Sequence, residues 1–236
     1  MSLTNVPSKL VIAIDGPAGA GKSTIAKLLA QRLNILYLDT GAMYRALTWK
    51  ALLMGISISD EARLADLFRE MKMEVVLSSD GQRILVDDED FTPFLRQKEV
   101  SELVSPLSAH GEVRNIMVLK QRELANKGQI VLDGRDIGTV VLPNAPLKIY
   151  LTATLEERTH RRQLEYRQLG ICVEFETLKA EISARDCRDS SREHAPLLKA
   201  QDAVLIDSTD MTANQVAERI EQLCRERGLI QERDMK

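Results

Sequence analysis

The chain has 236 residues, 44% apolar and 28% charged, with 12 Gly and 7 Pro, which excludes collagenous, disordered and low-complexity classes and suits one large domain or a core with a small insertion. Its 32 Lys and Arg against 35 Asp and Glu leave a net charge of −3, the wrong sign for a surface dedicated to nucleic acid. Three cysteines, Cys172, Cys187 and Cys224, are odd in number and form no CxxC pair, so neither a disulfide framework nor a zinc site is indicated and a reducing compartment fits. The apolar run after Lys9 is too short for a membrane span and has no signal-peptide cleavage pattern, so a soluble cytoplasmic protein is expected.

Leu10 to Ile14 is a continuous apolar run, largely β-branched, that ends in Asp15-Gly16-Pro17 and reads as a buried parallel strand entering a turn. Directly after it comes Gly16-Pro17-Ala18-Gly19-Ala20-Gly21-Lys22-Ser23, which matches GxxxxGK[ST] with a strand before it and a helical pattern, Thr24 to Leu33, after it. Small residues are needed there because backbone N–H groups must close around phosphate oxygens. Lys22 is expected to supply a point charge to the β and γ phosphates of a nucleotide, and the Ser23 hydroxyl to take a place on Mg²⁺. A second strand, Ile35 to Leu38, leads through Asp39 into a helix from Ala42 to Met54.

Residues of about 72–105 then break the alternation. Glu74 to Ser79, the turn pair Asp80-Gly81 and Gln82 to Val86 read as a β-hairpin within a small insertion. The core, 9–71 and 106–236, resumes with helix Val113 to Ala125, strand Ile130 to Leu132 before Asp133, and strand Leu147 to Leu151. Helices Leu155 to Leu169 and Phe175 to Arg185, strand Ala203 to Ile206 and helix Ala213 to Arg227 complete it. Strands alternating with helices predict an α/β, doubly wound parallel sheet, with ligands at the carboxyl ends where Asp15, Asp39 and Asp133 stand.

A phosphate-binding loop fixes the donor but not the reaction. A signalling GTPase is disfavoured: Asn126-Lys127-Gly128-Gln129 lacks the aspartate of an NKxD motif, and Asp133 is followed by Asp136 where a DxxG switch carries glycine. A kinase for a small phosphorylated acceptor needs many arginines to bring two polyanions together. Arg158, Arg161, Arg162, Arg167, Arg185, Arg188 and Arg192 meet that need, although interleaved glutamates assign part of the run from Arg158 to Arg167 to a solvated helix face. The Arg and Asp of 185–192 continue past the helical pattern and read as part of a mobile lid, about 158–195. His110, His160 and His194 are left structural, because an acceptor phosphate is already largely dianionic at neutral pH. Tyr44 and Trp49 lie on a helical pattern and are assigned to packing.

The segments Leu38-Asp39-Thr40-Gly41-Ala42-Met43-Tyr44-Arg45, Asp133-Gly134-Arg135-Asp136-Ile137-Gly138-Thr139-Val140-Val141 and Arg185-Asp186-Cys187-Arg188-Asp189-Ser190-Ser191-Arg192, together with the phosphate loop, resemble bacterial cytidylate kinases nearly end to end. The resemblance implies an adenylate-kinase-like P-loop fold with a five-stranded parallel sheet of order 2-3-1-4-5, and transfer of the ATP γ-phosphoryl group to CMP or dCMP. It implies an ATP site at Gly16, Pro17, Ala18, Gly19, Ala20, Gly21, Lys22, Ser23 and Thr24. Thr40, Arg45 and Arg135 correspond to acceptor-phosphate contacts, Arg185 and Asp189 to sugar contacts, and Ser105, Arg114, Asp136 and Arg192 to the cytosine pocket. Lys22, Arg135, Arg185, Arg188 and Arg192 are expected to stabilise the transferring phosphoryl group, in a monomer without nucleic-acid or membrane partners. Kinases for AMP, GMP, UMP or shikimate, and a slowly hydrolysing nucleotide switch, remain the alternatives.

Overall fold

The computed structural model describes residues 10–78, 81–168 and 170–231. In chain order the first half comprises β1 (Val11–Asp15), α1 (Lys22–Leu33), β2 (Leu36–Asp39), α2 (Thr40–Leu53), α3 (Glu61–Glu70), β3 (Met73–Ser78), β4 (Gly81–Val86), β5 (Glu89–Asp90) and α4 (Lys98–Leu107). The second half comprises α5 (Gly111–Ala125), β6 (Ile130–Gly134), a π-helical turn (Ile137–Val141), β7 (Leu147–Thr152), α6 (Leu155–Gln168), α7 (Phe175–Ser190), β8 (Val204–Asp207) and α8 (Ala213–Glu226). The large sheet is parallel throughout and runs β2-β6-β1-β7-β8, which is 2-3-1-4-5 when only its own strands are numbered.

Side chains alternate across this sheet because successive strand residues face opposite sides. Leu10, Ile12 and Ile14 pack with Ile25, Leu29, Val216 and Ile220, beneath α1 and α8. Ala13 and Leu132 face the other layer with Met43, Leu47, Val113 and Met117, beneath α2 and α5. The register sets Asp15 beside Gly134 and Asp39 beside Asp133, so the carboxyl ends of β2, β6 and β1 finish level. No helix among the described residues is long and apolar enough to cross a membrane.

The hairpin of β3 and β4 joins β5 in a second, antiparallel sheet, and its Met73, Ile84 and Val86 are buried in the same core layer as α2 and α5. Gly81 pairs with Ser78 and is a strand residue, not half of the turn; Ser79 and Asp80 lie outside the described residues, as do Lys9 and Leu169. Lys98–Leu107, the end of the expected insertion, is a helix that buries Val100, Val104 and Leu107. Helix α3, which the apolar pattern of the sequence analysis passed over, is capped by Asp60, whose side chain accepts from the Arg63 N–H, and buries Leu64, Ala65, Leu67 and Phe68.

The largest correction concerns α7. It does not end at Arg185 but continues to Ser190. Its inward stripe, Leu178 and Ile182, continues at helical spacing through Arg185 and Asp189, so ionic pairs take over the face where apolar residues run out.

Candidate active site

Donor side. The loop between β1 and α1 lies against β7 and α6 so closely that glycine is obligatory at two places. A Cβ on Gly16, at φ +149°, would lie 1.9 Å from the Leu151 carbonyl oxygen, and one on Gly19, at φ +77°, would lie 2.9 Å from that of Arg158. Lys22 is buried and donates to the Pro17 carbonyl at 2.7 Å, which folds its chain back over the loop. Burial first, then the nearby Arg135, pushes the Lys22 ammonium down to about 7. Ser23 donates to Asp133 Oδ2 at 2.9 Å, and Tyr37 donates to Asp133 Oδ1 at 2.8 Å. Burial and the neighbouring Asp39 raise the Asp133 carboxyl to about 6. Thr24 is exposed on the first turn of α1.

Of the arginines expected in the lid, Arg158 and Arg161 brace this loop. Arg158 donates to the carbonyls of Ala18 (2.9 Å) and Ala153 (3.0 Å) and pairs with Asp186, which also accepts the Ala18 N–H at 3.1 Å. Arg161 donates to the Ser208 carbonyl at 2.6 Å. Arg162 pairs with Glu165 at 2.8 Å, and Arg167 donates to the Gln163 side chain at 3.3 Å. Arg188 is exposed and no hydrogen bond or ion pair holds it among the described residues, so it stands apart from the other four expected phosphoryl-stabilising side chains.

Acceptor side. Three cations, Arg135, Arg185 and Arg192, converge on Asp189, which is fully buried. Arg135 Nε donates to its Oδ2 at 2.9 Å, Arg192 pairs with its Oδ1, Arg185 stands 3.9 Å from Oδ2, and Ser105 donates to Oδ1 at 3.1 Å. Burial raises the Asp189 carboxyl, but Arg135, Arg192 and Arg185 outweigh it and hold the group below the usual range. Arg185 is driven the other way, down to about 9, by burial and by Arg135. Arg114 pairs with Asp136 and donates to the Ser108 carbonyl at 3.1 Å, while Arg192 donates to the Ser108 hydroxyl at 3.0 Å. Arg45 pairs with Asp39 at 2.8 Å, and the Thr40 hydroxyl donates to the Asp133 carbonyl at 2.7 Å. The Nε atoms of Arg45, Arg185 and Arg192 are buried without a hydrogen-bond partner, an arrangement of donors that suits an anionic ligand.

Several participants escaped sequence reasoning. Tyr44 is buried with an unpartnered hydroxyl, and its ring lies 5.7 Å from the Arg114 guanidinium, so it faces the cluster instead of merely packing. Periodicity marked its burial but could not say what it is buried beside. Tyr37, Ser108 and Asp186 were equally invisible, since their partners lie far along the chain. Trp49, by contrast, stacks on Phe94 at 5.2 Å. His110 contacts the Ile58 carbonyl at 2.7 Å, and His160 packs on Phe175 at 4.6 Å.

Ser23 and Asp133 offer a hydroxyl and a carboxylate beside the loop, which fits the sparse protein shell that Mg²⁺ uses when a nucleotide supplies the other oxygens. A strand, a glycine-rich loop with a buried lysine, and a facing arginine cluster define a P-loop phosphotransferase. The family model for cytidylate kinase matches residues 12–226. A cytidylate kinase of Geobacillus sp. is 50% identical over 216 residues, covering 92% of this chain and 96% of its own. That of Bacillus subtilis is 49% identical over 212 residues, covering 90% and 95%. The chain belongs to the cytidylate kinase family. The solved structure of an uncharacterized protein from Eubacterium ventriosum, 15% identical, matches with a TM-score of 0.52 over 92% of this chain and 99% of that one, a likeness of fold alone.

Proposed function

We propose that this chain transfers the γ-phosphoryl group of Mg·ATP to CMP or dCMP, giving CDP or dCDP, as a cytoplasmic monomer. The observation that carries the reading is the Asp189-centred cluster, in which Arg135, from the loop after β6, Arg185 and Arg192 surround one buried carboxylate.

Gly16 to Thr24 hold the triphosphate, with main-chain N–H groups and the N-terminal end of α1 directed at it. Lys22 places positive charge at the β and γ phosphates, and ATP restores the protonation that burial disfavours. Ser23 and Asp133 would hold Mg²⁺, which would supply charge neutralisation at the phosphates. Thr40, Arg45 and Arg135 orient the acceptor phosphate, and Arg185 and Asp189 position the sugar. Ser105, Arg114, Asp136 and Arg192 surround the cytosine, whose amino group needs an acceptor and whose N3 and O2 need donors. Uracil presents a carbonyl in place of that amino group and sets an acceptor against the Asp136 carboxylate, which disfavours UMP. Lys22, Arg135, Arg185 and Arg192 spread positive charge over the equatorial oxygens of a loose transition state, with Arg188 joining them from the mouth of the site. No side-chain base is required, because the acceptor arrives as a dianion. Segments of about 72–105 and 158–195 close over the nucleotides and exclude water before transfer.

ADP formation from ATP across a panel of CMP, dCMP, UMP, AMP, GMP and shikimate tests the reading. Turnover with CMP and dCMP, absent without acceptor, supports it; turnover confined to another acceptor, or equal without any, contradicts it.

A further inference from the structure

We propose that Asp15 is a positioning residue for phosphoryl transfer, whose carboxylate sets the acceptor loop Arg135–Gly138 against the phosphate-binding loop. This deepens the kinase reading and rests on it. Asp15 is the last residue of β1 and directly precedes Gly16, so its side chain is tied covalently to the donor cradle. Its Oδ1 accepts the Ile137 N–H and its Oδ2 the Gly138 N–H, both at 2.7 Å.

Those two amides open the π-helical turn, whose own hydrogen bonds start later. Val140 and Val141 donate to the Asp136 carbonyl at 2.8 and 3.1 Å, and Leu142 donates to that of Ile137 at 2.7 Å. The first amides of any helical turn lack partners within it, so here a carboxylate from a neighbouring strand caps them. The contact leaves no slack. Asp15 is 4% exposed, and a Cβ on Gly138 would come within 3.3 Å of Asp15 Oδ2 and 3.1 Å of the Lys148 side chain.

The loop so held carries Arg135, bonded to Asp189, and Asp136, bonded to Arg114. A carboxylate can accept both amides. An asparagine of the same shape accepts one and turns its NH₂ toward the other, which releases one end of the loop. Displacement of a reacting group by about 1 Å costs on the order of 10²-fold in rate, so a small drift of Arg135 and Asp136 reaches the chemistry.

The test compares the full-length wild type with Asp15→Asn, Gly138→Ala and the double variant, measuring CMP kinetics and, separately, ATP binding at equilibrium. Asp15→Asn is expected to lower kcat/KM for CMP about 10²-fold while ATP affinity stays within about threefold. Gly138→Ala presses on the same contact from the other side and is expected to lose about tenfold, with the double variant losing less than the product of the two. If Asp15→Asn does not fold, Gly138→Ala carries the test by itself. Variants within about twofold of an active wild type in CMP turnover, or an ATP affinity that falls as far as CMP turnover does, overturn the inference. A wild type that forms no ADP from ATP and CMP overturns the kinase reading and this inference with it.

Discussion

In the proposed reading the donor cradle and the acceptor cluster both bind phosphate, yet they are made of different material. The cradle is one stretch of eight residues from Gly16 to Ser23, and most of its donors are main-chain amides shaped by the approach of β7 and α6. The acceptor cluster draws Arg45 from α2, Ser105 from α4, Arg114 from α5, Arg135 and Asp136 from the loop after β6, and Asp189 and Arg192 from α7 and the segment beyond it. A site built from backbone tolerates change in side chains but not added volume. A site built on one buried carboxylate among three guanidiniums fails when that carboxylate is lost.

Lys22 is the exception within the cradle, the one long side chain on which the donor site relies, and its removal is expected to give the largest effect. Lys22→Ala should reduce kcat by at least about 10²- to 10³-fold with the circular dichroism spectrum unchanged. Near-normal turnover would break the comparison at its donor end. Next comes Asp189→Ala, which leaves Arg135, Arg185 and Arg192 facing one another without their anion. Urea unfolding should show a loss of about 3–5 kcal/mol, and CMP turnover should vanish while ATP binding persists in the folded fraction. A stability unchanged from wild type would mean that the cluster is held by other contacts.

Arg192→Ala sharpens the contrast, since Arg192 hydrogen-bonds to Asp189 and Ser108 and, among the described residues, to no group of the phosphate loop. KM for CMP is expected to rise about 10- to 100-fold with KM for ATP within about twofold, whereas equal losses for both nucleotides would erase the division between the sites. The smallest effect is on pH dependence. Burial raises the Asp15 carboxyl to about 6 in the folded chain, above its unfolded value, so the folded state binds more protons between about pH 4 and 6. The stability of the ligand-free wild type relative to Asp15→Asn should therefore be greatest below about pH 4, decline as pH rises to about 6 and stay level above it. Denaturant midpoints across that range check the sign, and a relative stability that rises with pH would contradict it.

The contrast between the sites also explains what the sequence could reveal. The cradle was legible because its residues are contiguous and their types follow from phosphate geometry. The strands were legible from their apolar runs, and the aspartates ending three of them marked the carboxyl edge. Helix α7 was cut short because the stripe of Leu178 and Ile182 passes into Arg185 and Asp189, and charge at helical spacing looks like solvated surface until its partners are known. Ser105 was assigned through the resemblance alone, with no distinctive motif around it; a proline in the last turn of α4 is accommodated and leaves Ser105 facing Asp189. Asp15 and Asp133 stood out as strand-end acids, but their partners lie 96 to 123 positions away, and no local pattern encodes such pairs.

The central claim is that two nucleotides are held end to end, with the phosphate loop on one side and the Asp189 cluster on the other. A single molecule that joins adenosine to cytidine through five phosphates tests it most directly, in inhibition kinetics against each substrate. Competition with both ATP and CMP, at one molecule per chain, is the expected result. Competition with ATP alone, at any concentration of CMP, would contradict the account.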